Sequence, residues 1–271
     1  MSLVETNWLE KNLNNVKIID CSWHMPLTRR NGLEEYKKQH IPNSIFFDLD
    51  ENSKKDTKLP HMLVQKEDWN NIVSKMGINN TDKVVIYDNS DVISSCRLWF
   101  NLIYFGHNAK LVHVLNGGFQ KWLSENKRVT DQVSGIDNSN YKSLEKKELV
   151  KDKIMIDKNL DVQDFKIIDA RSKDRFHGKI PEPREGLRSG SIRNSFCIPF
   201  NTCLNEDRTF KKKSELEKIF KECLKDLNEK NIVFSCGSGV TACVLALAYS
   251  LINDKYLPCI YDGSWAEYGM I

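Results

Sequence analysis

Short apolar runs alternate along the chain with longer stretches whose apolar residues fall three and four apart. The runs IID (18–20 and 167–169), IFFDL (45–49) and VVIYD (84–88) are rich in Ile, Val and Phe and lie between polar turns. That is the pattern of strands. KEDWNNIVSKMG (66–77) and KKKSELEKIFKECLKDL (211–227) carry the spacing of amphipathic helices. In the second, Ser214 and Glu217 offer a capping box. Strands alternating with helices predict α/β domains with a largely parallel sheet.

The pattern occurs twice. VKIID (16–20) resembles FKIID (165–169), and HIPNSIFFDLD (40–50) resembles SIRNSFCIPFN (191–201). KVVIYDNSDVISSCRLWF (83–100) resembles NIVFSCGSGVTACVLALA (231–248), and VHVLNGGFQKW (112–122) resembles PCIYDGSWAEY (258–268). The four pairs keep their order and start 149, 151, 148 and 146 residues apart, so the chain reads as a duplicated domain. The expected layout is a first domain over 1–130, a polar linker of weak periodicity over 131–162, and a second domain over 163–271. A chain of 271 residues is long enough to bury two such cores.

Charge and composition mainly exclude. With 40 basic against 37 acidic residues, net +3, the chain has no nucleic-acid surface in prospect. The one basic run, Lys211–Lys213, precedes a helix and reads as a solvated edge. No stretch reaches the roughly 18 apolar residues that cross a bilayer. The start, MSLVETNWLEKNL, lacks a charged region followed by an apolar core, and Glu5 and Glu10 argue against a transit peptide. The expected compartment is the cytoplasm. There the eight cysteines should be free thiols, and none forms the C-x-x-C pair of a zinc or thioredoxin-type motif.

One cysteine stands apart. IVFSCGSGVTACVLALAYS (232–250) begins as a buried strand and ends as an apolar helix, with Cys236 on the turn between them. Function gathers at the carboxyl ends of parallel strands. The following residues, Gly237, Ser238, Gly239, Val240 and Thr241, open a helix, where unpaired N–H groups and a partial positive charge favour anions. The glycines let the backbone curl round the sulfur. Such a setting lowers a thiol's pKa and exposes a nucleophile; the alternative is a structural cysteine in a glycine-rich turn. Cys243, one turn into the helix, reads as core. The first half has Asp88 where the second has Cys236, in a turn without glycines, and is expected to be catalytically silent. A cysteine phosphatase usually has Arg six positions after its Cys; here that residue is Ala242. A cysteine hydrolase needs a His base, and six His leave the choice open.

At these residues the chain resembles the rhodanese superfamily of sulfurtransferases in its tandem two-domain form, and within it the branch that uses 3-mercaptopyruvate. CGSGVTAC (236–243) carries most of the likeness: Ser238 matches that branch, whereas thiosulfate-using members tend to have charged residues, including Lys, in the loop. DARSKDRFHGKIPEPREG (169–186) is similar to the segment holding two substrate-binding arginines, which fall on Arg175 and Arg184. Ion pairs with Glu182 or Glu185 are the alternative for both; Arg171 and Arg188 read as structural. FFDLDENSKKDTKLPHML (46–63) matches the stretch that carries an Asp and a His in the first domain, here Asp50 and His61. With Ser238 these imply a hydrogen-bonded relay, although a lone loop His is more often exposed to solvent.

The resemblance implies two rhodanese-like α/β domains, each a mainly parallel sheet flanked by helices. It implies that sulfur passes from 3-mercaptopyruvate through a Cys236 persulfide to a thiol acceptor such as thioredoxin, or to cyanide, with release of pyruvate. Gly237, Gly239, Val240 and Thr241 join the arginines in binding substrate. No metal, organic cofactor, nucleic acid or membrane is implied. Thiosulfate as donor, and a noncatalytic sulfur-carrying or docking module, are the two other readings.

Overall fold

The computed structural model describes residues 2–133 and 135–271; Met1 and Ser134, the latter inside the expected linker, lie outside the described residues. The chain divides into two compact units. The first comprises Met1–Lys54, Leu63–Lys146 and Glu206–Thr209, and the second Lys55–Met62, Lys147–Asn205 and Phe210–Ile271.

In the first unit, β1 (Leu3–Val4), β2 (Lys17–Asp20), β3 (Ser44–Phe46), β4 (Val84–Tyr87) and β5 (Val112–Leu115) form one sheet in the order β1-β5-β4-β2-β3. Every pairing in it is parallel. All four residues of β4 are buried, which is why the strand reads as an unbroken apolar run. The flanking helices are α1 (Thr6–Lys11), α2 (Gly32–Lys38), α3 (Lys66–Lys75), α4 (Ser95–Tyr104) and α5 (Gly118–Ser124). Ile18, Val85 and Tyr87 pack on Leu9 of α1 and on Phe119 and Trp122 of α5.

The second unit repeats this. Strands β6 (Val150–Lys151), β7 (Lys166–Asp169), β8 (Phe196–Cys197), β9 (Ile232–Ser235) and β10 (Ile260–Tyr261) lie in the order β6-β10-β9-β7-β8, all pairings parallel. The order equals that of the first sheet, as a duplication requires. Its helices are α6 (Lys153–Val162), α7 (Lys173–Phe176), α8 (Lys213–Lys221), α9 (Ala242–Ser250) and α10 (Ser264–Tyr268). Ile156, Ile167, Val233, Tyr261 and Trp265 form its core. Strand β9 is central, so the residue after it, Cys236, stands at the middle of the sheet's carboxyl edge.

Two sequence expectations differ from the structure. The stretch 131–162 is not one connector: β6 and α6 belong to the second sheet and its cover. Helix α6 buries Ile156 and rests Leu160 on the core, but Ile154, Met155 and Val162 are exposed. Apolar residues on both faces blur the helical stripe, so the sequence shows little periodicity there. Helix α8 starts at Lys213, before the expected cap, because the Glu215 carboxylate accepts from the Lys212 N–H at 3.3 Å.

The two copies handle one buried carboxylate differently. Asp169, at the end of β7, is held by Arg171 through both oxygens, with Nε–Oδ2 at 2.9 Å and Nη2–Oδ2 at 2.7 Å. Asp20, at the end of β2, has Ser22 two residues on, whose N–H and hydroxyl donate to Oδ1 at 2.9 and 2.5 Å. Burial without a cation pushes the Asp20 carboxyl up to about 7. An acid raised in the folded state contributes stability that is complete below its unfolded pKa and is lost as pH rises through about 7. Asp20→Asn keeps the acceptor oxygen and removes the charge. It should stabilise the protein by about 2–4 kcal/mol at pH 8, and this gain should vanish near pH 4. Urea titrations across that range check the slope, and a pH-independent difference would contradict the assignment.

Candidate active site

The Cys236 turn is held from both sides. The ladder between β7 and β9 runs one residue past β7, with the Ala170 N–H donating to Ser235 O at 2.8 Å just before the turn. On the other side the first turn of α10 reaches back. Trp265 N–H donates to Cys236 O at 2.9 Å, Ala266 N–H to Gly237 O at 2.8 Å, and Cys236 N–H to Ser264 Oγ at 3.2 Å. Ser264 takes a left-handed conformation (φ 48°) to do this. In the sequence, DGSWAEY (262–268) stands out only as a repeat, which does not show this buttress. The duplicate is built alike: Gly118 occupies the same place with φ 58°, and Phe119 N–H donates to Asp88 O at 2.9 Å.

Within the turn the two glycines serve different ends. Gly239 has φ 77°, a conformation that disfavours a side chain. Gly237 does not; there a side chain would crowd Arg175. A Cβ there would lie 3.2 Å from Arg175 Nη2 and 3.7 Å from Arg184 Nη1. Val240 O and Thr241 O accept the first bonds leading into α9, from Cys243 and Val244 at 3.1 Å each. Cys236 is 2% exposed. Cys243 is fully buried in α9, its thiol directed to Gly239 O at 3.2 Å, the core role expected.

The arginines of the 169–186 segment have distinct places. Arg175, on α7, reaches the turn at Gly237 and is paired with Glu182, Nη2–Oε2 at 2.6 Å. That ion pair is not a surface one, since the Glu182 side chain is 1% exposed. Arg171 is buried between Asp169 and Glu182, and its guanidinium lies 4.3 Å above the Trp265 ring. Arg188 also stacks on Trp265, at 4.6 Å, and its carbonyl accepts from the indole N–H at 2.9 Å.

His61 is 4% exposed, contrary to the usual fate of a loop His, and its Nδ1 lies 3.0 Å from Ser238 Oγ. The segment Lys55–Met62 counts with the second unit, whereas Asp50 belongs to the first, where it accepts from Trp23 Nε1 at 2.8 Å. Sequence position alone had assigned His61 to the first domain. Chain order does not say against which core a loop packs.

In the first unit the equivalent turn carries its own anion. The Asp88 carboxylate accepts from Ser90 N–H at 2.8 Å and Ser95 N–H at 3.0 Å, and burial raises its pKa. All eight cysteines are free. Burial pushes the thiols of Cys197, Cys203 and Cys259 up to about 12, and those of Cys21 and Cys223 up as well. These groups stay protonated at neutral pH and are poor nucleophiles. Among the described residues no three His, Cys, Asp or Glu side chains gather as a metal ion needs, and no helix is long and apolar enough to cross a membrane.

Both halves match a family described as Rhodanese-like domain, over residues 5–125 and 152–270. Thiosulfate/3-mercaptopyruvate sulfurtransferase 1, mitochondrial, from Arabidopsis thaliana is 37% identical, across 98% of this chain and 75% of its own. The 3-mercaptopyruvate sulfurtransferase of Mus musculus is 35% identical, across 99% of this chain and 92% of its own. Among solved structures, the Tum1 protein from Saccharomyces cerevisiae matches with a TM-score of 0.89 at 27% identity, covering 99% of this chain and 94% of that one.

Proposed function

We propose a sulfur-transfer function from one premise: this chain belongs to the rhodanese family. It is a sulfurtransferase whose nucleophile is Cys236, whose preferred donor is 3-mercaptopyruvate and whose acceptor is a thiol such as thioredoxin. The observation that carries this reading is the convergence of Arg175 and Arg184 on Gly237, the residue next to the thiol. Guanidinium forks suit the carboxylate and carbonyl of a keto acid.

The cycle has two halves. The Cys236 thiolate attacks the substrate sulfur and the C–S bond breaks. Its electron pair passes into the keto group as an enolate, which the arginines stabilise. The substrate's thiol proton moves through Ser238 and His61 and ends on the methyl carbon of pyruvate. Cys236 is left as a persulfide anion, cradled by the turn through Gly237, Gly239, Val240 and Thr241. An acceptor thiolate then attacks the outer sulfur, and the S–S bond breaks back to the Cys236 thiolate. Asp50 is kept as the acidic member of the relay, and Asp50→Asn should lower kcat with mercaptopyruvate. The first copy takes no part in the chemistry, because Asp88 fills the place a persulfide would need. A reducing compartment, the cytoplasm being the simplest, keeps the free thiols free.

Thiosulfate is the second donor, since the Arabidopsis relative's name joins both. The Ser238–His61 pair favours mercaptopyruvate on chemical grounds: that donor has a thiol proton to move and thiosulfate has none. Mass spectrometry after donor treatment should find one added sulfur per chain, on Cys236, and kcat/KM should be higher for mercaptopyruvate. A sulfur-free protein would indicate a docking module instead, and a preference for thiosulfate would reverse the donor assignment.

A further inference from the structure

Glu182 takes no part in the cycle above, yet its carboxylate is buried between two arginines. Its Oε2 accepts from Arg175 Nη2 at 2.6 Å and its Oε1 from Arg175 Nε at 3.2 Å. Oε1 also accepts from Arg171 Nη1 at 2.7 Å, and the far edge of Arg171 is engaged by Asp169 and by Gly190 O. The charges therefore alternate along one line: Asp169, Arg171, Glu182, Arg175. Arg175 arrives at Gly237 with its Nε–Nη2 edge occupied and its charge cancelled. The outer Nη1–Nη2 edge is the one left to meet an acceptor at the turn. A guanidinium pinned in this way loses little rotamer freedom when substrate binds.

We infer that Glu182 is a specificity-determining positioning residue. It aims the outer edge of Arg175 at the Cys236 turn, and it cancels the Arg175 charge so that the site suits a monoanionic keto-acid donor better than a dianionic one. The inference rests on the sulfurtransferase reading above. A dianion gains more than a monoanion from each added positive charge, so removing the Glu182 charge should favour thiosulfate over mercaptopyruvate.

The two halves of a ping-pong cycle allow the test. In Glu182→Gln, which keeps one acceptor and loses the charge, KM for 3-mercaptopyruvate should rise about tenfold, and the ratio of kcat/KM for thiosulfate to that for mercaptopyruvate should rise by about tenfold or more. Sulfur delivery from Cys236 preloaded with inorganic polysulfide to a small thiol should stay within about twofold of wild type, a result that a merely structural defect would not give. Glu182→Asp keeps the charge on a shorter arm. It should raise KM for both donors and leave their ratio near the wild-type value, and it decides the matter if the Gln variant does not fold. A folded Gln variant with wild-type KM and donor ratio, or an Asp variant with unchanged KM values, overturns the inference. Failure of the wild type to take sulfur from either donor would instead defeat the underlying reading.

Discussion

Cys236→Ser should leave a folded protein that releases no pyruvate from 3-mercaptopyruvate and carries no added sulfur, a fall of at least about 10⁴-fold in kcat/KM. The hydroxyl fits the same space and leaves the bonds of Ser264, Trp265 and Ala266 to the turn in place. It cannot form a persulfide. No other thiol should take over. Cys243 points at Gly239 O inside α9, and burial holds Cys197, Cys203 and Cys259 protonated far above neutral pH. Pyruvate assays with whole-protein mass spectrometry check the result. Turnover that survives the substitution would place the chemistry elsewhere.

The largest effect on stability should come from Arg171→Leu. Burial disfavours the Arg171 charge, but the carboxylates of Asp169 and Glu182 outweigh that and hold its pKa up. Leucine removes the cation and leaves the buried Asp169 carboxylate without its partner, with Glu182 held by Arg175 alone, which costs about 3–5 kcal/mol. The stacking contact with Trp265 is lost as well, although Arg188 still covers that ring. In urea the unfolding transition should move to lower concentration. Adding Asp169→Asn and Glu182→Gln should recover part of the loss, since a buried network stripped of charge is less costly than one left half-paired. A single Arg171→Leu with wild-type stability would mean that the network does not hold the fold together. Asp20 sits at the opposite extreme: Ser22 stands where the other copy has Arg171, so neutralising Asp20 is expected to stabilise.

What could be read in the sequence was local or repeated. Two α/β copies were legible from apolar runs and amphipathic spacing, because parallel strands are buried on both faces and helices on one. The repeat added what a single copy hides, since VVIYDNSDVIS set beside IVFSCGSGVTA singles out Cys236 by contrast with Asp88. Helix α6 escaped because Ile154, Met155 and Val162 carry apolar side chains on its exposed face.

The sequence by itself determined the duplicated architecture, the strand that ends at Cys236 and the types of residue around the thiol, because these follow from periodicity over a few residues. Only the tertiary structure decided that His61 packs with the second unit against Ser238. It alone revealed that Glu182 is shared by Arg171 and Arg175, that Gly237 is small where Arg175 comes close, and that α10 braces the turn. Most of these contacts join residues far apart along the chain. Which of them form is settled by how loops and helices pack over a finished sheet, where burial forces every charge and hydrogen-bonding group to find a partner.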